Sequence, residues 1–144
     1  MSDCVFCKIL ANEIQASMVY RDETCVAFMD IQPINPGHIL VIPVAHAAGL
    51  AQLDPEDGRH LFEVAQKIAN ALRNADVRCE GVNLFLADGE AAGQDVFHAH
   101  LHVFPRYAGD GFGFRRGPMS AIKPARAELD GLAQQVRVAL GSRS

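Results

Sequence analysis

A chain of 144 residues, 49% apolar and 21% charged, is long enough for a hydrophobic core and too apolar for a disordered or fibrous protein. The formal net charge of -4 excludes a general polyanion binder, so a bound phosphate has to be held by local groups, and no nucleic acid partner is expected. The start, Met1-Ser2-Asp3-Cys4, lacks the basic and apolar stretches of a secretory leader, and no apolar run approaches the roughly 20 residues that cross a bilayer. A cytoplasmic chain without membrane contact is expected, organised as one domain over residues 1–144 with a tail that frays from about residue 141.

In chain order, Cys4 to Asn12 predicts one or two helical turns and Met18 to Tyr20 a short strand. Thr24 to Asp30 alternates as a strand with Val26 and Phe28 on one face, and Pro33, Asn35, Pro36 and Gly37 force a turn. Ile39-Leu40-Val41-Ile42 is a β-branched apolar run ending at Pro43, as in a central strand. Asp54 is an N-cap, Pro55 suits the first helical position, and Asp57 stands where a capping-box acid would. Leu61, Ala65, Ile68 and Leu72 follow at helical spacing. Val82, Leu84 and Leu86 alternate as a strand, Asp88 to Gly93 is a small-residue loop, and Val96 to Phe104 predicts another strand. A second long helix is expected from about Ala127 to Leu140, with Leu129, Leu132, Val136 and Leu140 inward. Strands grouped around two helices give an α+β class with an antiparallel meander sheet.

Chemistry concentrates in His98-Ala99-His100-Leu101-His102. Side chains alternate along a strand, so three imidazoles project from one face. Three readings stay open on the residues alone: three structural histidines, one metal site made of all three, or a catalytic face. Cys4 and Cys7 form a C-x-x-C pair, which in a reducing compartment suggests metal or redox work, with a free thiol pair as the plain alternative. Cys25 and Cys79 read as inert cysteines among apolar neighbours, and His60 as a solvated helix residue.

Five segments together carry more than any one. They are the C-x-x-C at Cys4 and Cys7, Asp30 ahead of Asn35-Pro36-Gly37-His38, Ile42-Pro43-x-x-His46, Ala92-Gly93-Gln94, and His98-x-His100-x-His102. In that order the chain, from residue 4 to about residue 106, resembles the histidine triad (HIT) family of nucleotide hydrolases and transferases. The resemblance implies the HIT-like fold, a homodimer, and an adenine nucleotide substrate cleaved at its α-phosphate through a covalent nucleotidyl-histidine.

On the matching positions, His100 is the implied nucleophile and His102 faces the phosphate oxygens. Gln94 bonds the phosphate near the leaving group, and His38 supports the nucleophile. Asp30 takes the ribose hydroxyls, and Phe6 and Ile31, with Ile9 and Phe28, wall the base. Cys4, Cys7, His46 and His98 make an implied Cys₂His₂ zinc site; four protein ligands close such a site, so the zinc is structural and catalysis requires no metal.

Two positions depart from the family pattern. Ala87 stands where an asparagine is common, and Asp95 where a serine or threonine is common. An acid there repels the α-phosphate if it points inward. The favoured reading is hydrolysis of adenosine phosphoramidates or aminoacyl-adenylates. The alternatives are a diadenosine polyphosphate hydrolase, with Arg106, Arg115 or Arg116 on a distal phosphate, and a nucleotide-binding regulatory module with little turnover.

Overall fold

The structure, a computed structural model, describes residues 3–141. The chain divides into two compact units, one ending at Phe112 and the other beginning at Gly113. The first holds a short helix α1 (Val5–Leu10), strands β1 (Met18–Arg21), β2 (Cys25–Met29) and β3 (Ile39–Pro43), helix α2 (Pro55–Asn74), and strands β4 (Gly81–Phe85) and β5 (Leu101–Arg106). The sheet is antiparallel throughout, in the order β1-β2-β3-β5-β4. The first three strands run as a meander; β5 then inserts between β3 and β4, a swap that hairpin periodicity does not encode.

Alternation along the strands separates two apolar layers. Cys25, Ala27, Ile39, Val41 and Val103 face α2, which contributes Leu61, Val64, Ala65, Ile68 and Leu72. Each large side chain buried there stabilises by roughly 1.5–3 kcal/mol. The helix begins where expected, with the Asp54 carboxylate accepting the Glu56 N–H at 2.8 Å and Pro55 in the first turn. On the opposite face Val26, Phe28, Leu40 and Ile42 pack against Phe6 and Ile9 of α1. Register aligns Phe28, Leu40, His102 and Phe85 across four strands, which places His102 on the α1 face. One face of the sheet is therefore pure core, and the other is shared between core and chemistry.

The strand expected from Val96 begins only at Leu101. Residues 96–100 do not pair with β3. The Ala99 N–H bonds instead to the Ala47 carbonyl at 2.7 Å, so a loop takes the place of a ladder partner. His98 and His100 thus precede the strand and His102 lies within it.

The second unit contains helix α3 (Arg126–Ala139), close to its expected span. Its stripe is not inward: Leu129, Leu132, Val136 and Leu140 are all exposed. Periodicity tells which residues share a face of a helix, not what covers that face. Of the expected tail, residues 142–144 lie outside the described residues. Among the described residues no helix is long and apolar enough to cross a membrane.

Candidate active site and metal centre

Hydrogen bonds to the backbone assign a tautomer to each histidine of the site. The His100 Nδ1 lies 2.8 Å from the His98 carbonyl oxygen, which can only accept, so Nδ1 carries the proton and Nε2 presents a lone pair. His38 is read the same way from its other side. Its Nδ1 accepts the Ile34 N–H at 3.0 Å, so the proton sits on Nε2, which donates to His102 Nδ1 at 2.9 Å. His102 is left with its own proton on Nε2, as a hydrogen-bond donor. A nucleophilic lone pair and a donor thus stand side by side, with ring centroids 4.8 Å apart. Neutral rings are what this arrangement requires. Burial, with His100 and His38 alongside, pushes His102 down to about 4, and burial lowers His38 as well, against the pull of Asp30.

His38 is held against β5 from a distance. The Asn35 amide donates to the Pro105 carbonyl at 2.9 Å and to Asp110 at 2.8 Å, and so ties the turn before His38 to the end of the triad strand. Gly37 permits that turn at φ 102°, and an added Cβ would stand 3.2 Å from Pro105.

His100 and His102 open into a cavity of about 250 Å³ that Phe6, Ile9, Phe28, Asp30 and Ile31 also line. Phe6 is buried edge-on to His100 at 5.1 Å, whereas Ile31 is exposed at the rim. Asp30 accepts the Gln32 N–H and places its other oxygen 3.5 Å from His38 Nε2. Gln94 stands elsewhere. Its side chain accepts from the Gly89 N–H and donates to the Ala48 and Val96 carbonyls, so the amide is committed to its loop and does not line this cavity. Arg106 is also committed, held by both oxygens of Asp110, by Asn83 and by the Phe112 carbonyl. Sequence reasoning passed over this clamp; the i, i+4 spacing of Arg106 and Asp110 was the available signal.

His98 belongs to a second centre. Its Nε2 lies 2.8 Å from the Pro43 carbonyl, which puts the proton there and turns an Nδ1 lone pair toward Cys4, Cys7 and His46. The Cys4 Sγ–His98 Nδ1, Cys7 Sγ–His46 Nδ1 and Cys7 Sγ–His98 Nδ1 distances are 3.5, 3.4 and 3.6 Å, and the two Nδ1 atoms stand 3.1 Å apart. A tetrahedral zinc with ordinary Zn–S and Zn–N bonds has ligand–ligand edges of roughly 3.4–3.8 Å. The donor set and spacing fit zinc, and the Pro43 bond supplies the outer support that metal-bound imidazoles have. The triad therefore does not converge on one ion: His98 faces the thiols while His100 and His102 line the cavity.

His60 is not simply solvated. Its Nε2 meets Asp22 at 2.6 Å, and the same carboxylate takes the Tyr20 hydroxyl and the Thr24 and Cys25 N–H groups. Burial works against the Asp22 charge, but these donors win and hold it below the usual carboxylate range.

The site thus sets a backbone-fixed imidazole lone pair beside an imidazole donor, both facing a cavity that holds a carboxylate. The model of the HIT domain matches residues 11–109, and the chain belongs to the HIT family. It is 45% identical over 118 residues to a HIT-like protein of Borreliella burgdorferi, covering 81% of this chain and 85% of that one. It is 36% identical to the adenylylsulfatase HINT3 of Arabidopsis thaliana, covering 73% of this chain and 53% of that one. The crystal structure of a HIT family protein from Bacillus anthracis superposes with a TM-score of 0.85 at 40% identity, covering 95% and 96% of the two chains. A zinc-bound histidine triad family protein from Mycobacterium smegmatis superposes with a TM-score of 0.75 at 38% identity over 99% of each chain.

Proposed function

We propose that the protein hydrolyses adenosine phosphoramidates or aminoacyl-adenylates through a nucleotidyl-histidine at His100. The observation that carries this reading is the bond from His100 Nδ1 to the His98 carbonyl, because it leaves Nε2 as the only nucleophilic nitrogen and aims it at the cavity. In the first step the Nε2 lone pair forms a bond to the α-phosphorus. The P–N or P–O bond to the leaving group breaks with its electron pair, and the leaving group takes up a proton. Water then cleaves the Nε2–P bond and returns AMP and free imidazole. His102 Nε2–H donates to the phosphate oxygen on which charge develops, a neutral donor already oriented by His38. Asp30 accepts from the ribose hydroxyls, and Phe6 and Ile31 flank the base. Gln94 acts at one remove, by bracing the loop that leads into the triad.

The same reading assigns Cys4, Cys7, His46 and His98 to a structural zinc, which would tie the amino-terminal segment to the residues that hold His100. With four protein ligands it is closed to substrate, and no catalytic step needs it. The commitment of Arg106 to Asp110 favours this branch over diadenosine polyphosphate hydrolysis, since that guanidinium is not free for a distal phosphate. Supporting the slow-turnover module instead is Asp95, whose Oδ1 lies 3.6 Å from the attacking nitrogen. A homodimer, implied by the resemblance, is checked by light scattering.

The deciding experiment follows AMP release from adenosine phosphoramidate and a diadenosine polyphosphate by wild type and His100→Ala. It includes a non-acidic quench, because acid cleaves the P–N bond of a nucleotidyl-histidine, after which mass spectrometry reads an added adenylyl unit (AMP less water) on the intact chain. Hydrolysis and adduct that both vanish in the variant support the proposal. Tight AMP binding without turnover of either substrate moves the assignment to the binding module, and equal hydrolysis by the variant refutes the nucleophile.

A further inference from the structure

Asp95 stands on a ridge between two cavities. With Val5 and Val96 it lines both the cavity of His100 and His102 and a neighbouring one of about 410 Å³. Its Oδ1 is 3.6 Å from His100 Nε2, its side chain is 83% exposed, and among the described residues nothing else holds it. A negative charge therefore stands beside the place where the substrate's own negative phosphate must arrive. Serving catalysis, such a group needs a positive charge to come with the substrate.

The neighbouring cavity indicates where that charge would sit. Asp3 contributes a second carboxylate and Phe97 an aromatic ring that is half exposed; Cys4 and His46 of the proposed zinc centre, whose two thiolates balance the charge of the ion, also line it, and no lysine or arginine does. Two carboxylates and an aromatic ring suit an ammonium group, by charge and by attraction of a cation to a ring face. With the nucleoside in the first cavity, a leaving group that reaches the second has to pass the ridge at Asp95, which lines both.

We propose that Asp95 is a specificity-determining residue that selects adenylates whose leaving group carries an ammonium and disfavours those whose leaving group is an anion. This rests on His100 as nucleophile, and it bears on substrate choice within that reading. An anionic leaving group such as sulfate, the one implied by the name of the Arabidopsis relative, meets repulsion at Asp95. Because the carboxylate is exposed, the effect is that of a screened pair, about fivefold in kcat/KM and smaller at high salt.

The test compares three AMP conjugates of different leaving-group charge: the phosphoramidate of diaminopentane, the phosphoramidate of pentylamine, and adenylylsulfate. Wild type, Asp95→Asn, Asp95→Glu and His100→Ala are assayed at low and high salt. The expected order in wild type is ammonium, neutral, anion. Asp95→Asn should bring the ammonium-to-neutral ratio close to one and raise adenylylsulfate cleavage relative to the neutral conjugate, while Asp95→Glu keeps the preference. A ratio unchanged in Asp95→Asn, or a wild type indifferent to the ammonium, overturns the proposal. Cleavage of the pentylamine conjugate by wild type and not by His100→Ala keeps the nucleophile standing in either event. No cleavage of any conjugate overturns both readings together.

Discussion

Replacing His38 by alanine tests the chain of tautomers on which the site depends. His38 does not itself line the cavity, yet its Nε2–H is what keeps the His102 proton on Nε2. Without it, the His102 ring chooses between its two neutral forms with no partner on Nδ1. A net hydrogen bond in a protein is worth about 0.5–1.5 kcal/mol, so the ratio of donating to non-donating form should fall about twofold to tenfold; with the preference gone the donating form keeps about half the population, and kcat should fall about twofold. Removing the donor itself, in His102→Ala, should cost about a hundredfold or more. Because both act through one hydrogen, the double variant should be no slower than His102→Ala alone. His38 is buried against Phe104 and His102, so the alanine variant should also melt earlier, by a cavity cost of about 2–4 kcal/mol. Nitrogen NMR of labelled histidine separates the two effects, because only the tautomer argument predicts a shift of the His102 ring signals in the folded variant. Additive losses in the double variant, or an unaltered His102 signal, would refute the argument.

Metal analysis should find one zinc per chain in wild type and His100→Ala and none in Cys4→Ala, whereas loss of zinc from His100→Ala would mean that the triad shares the ion. Asp22 has its folded-state pKa held down by donors, so its contribution to stability is complete above the unfolded value of about 4 and is lost as the pH falls below it. Asp22→Asn should therefore be less stable than wild type at pH 7, by about 1–3 kcal/mol, and the gap should narrow in chemical melts below about pH 4. Gly37→Ala places a Cβ at positive φ and 3.2 Å from Pro105; it should lower stability by about 1–3 kcal/mol and, by displacing His38, reduce activity in the folded fraction.

Much of the framework is readable along the chain because it depends on local periodicity. The apolar run of β3, the alternation of β2 and the capped stripe of α2 each report a face that has to be buried. The alternate spacing of His98, His100 and His102 likewise puts the three rings on one side before any fold is known. Local pattern stops being informative where a group is satisfied from far away in sequence. That His98 turns to the thiols while His100 turns to the cavity depends on carbonyls and sulfurs up to 94 residues apart. That β5 starts at Leu101 depends on Ala47 capturing the Ala99 N–H. The proton positions on His38 and His102, the commitment of Gln94 to its loop, the Arg106–Asp110 clamp and the Asp22–His60 pair are of the same kind. Each is a hydrogen bond whose partner is supplied by the tertiary fold, and an imidazole or amide has no preferred role until that partner is in place. Sequence alone determined which chemical groups this protein holds; the tertiary structure decided which atom of each is left open to the cavity and which is committed to the backbone or a neighbour.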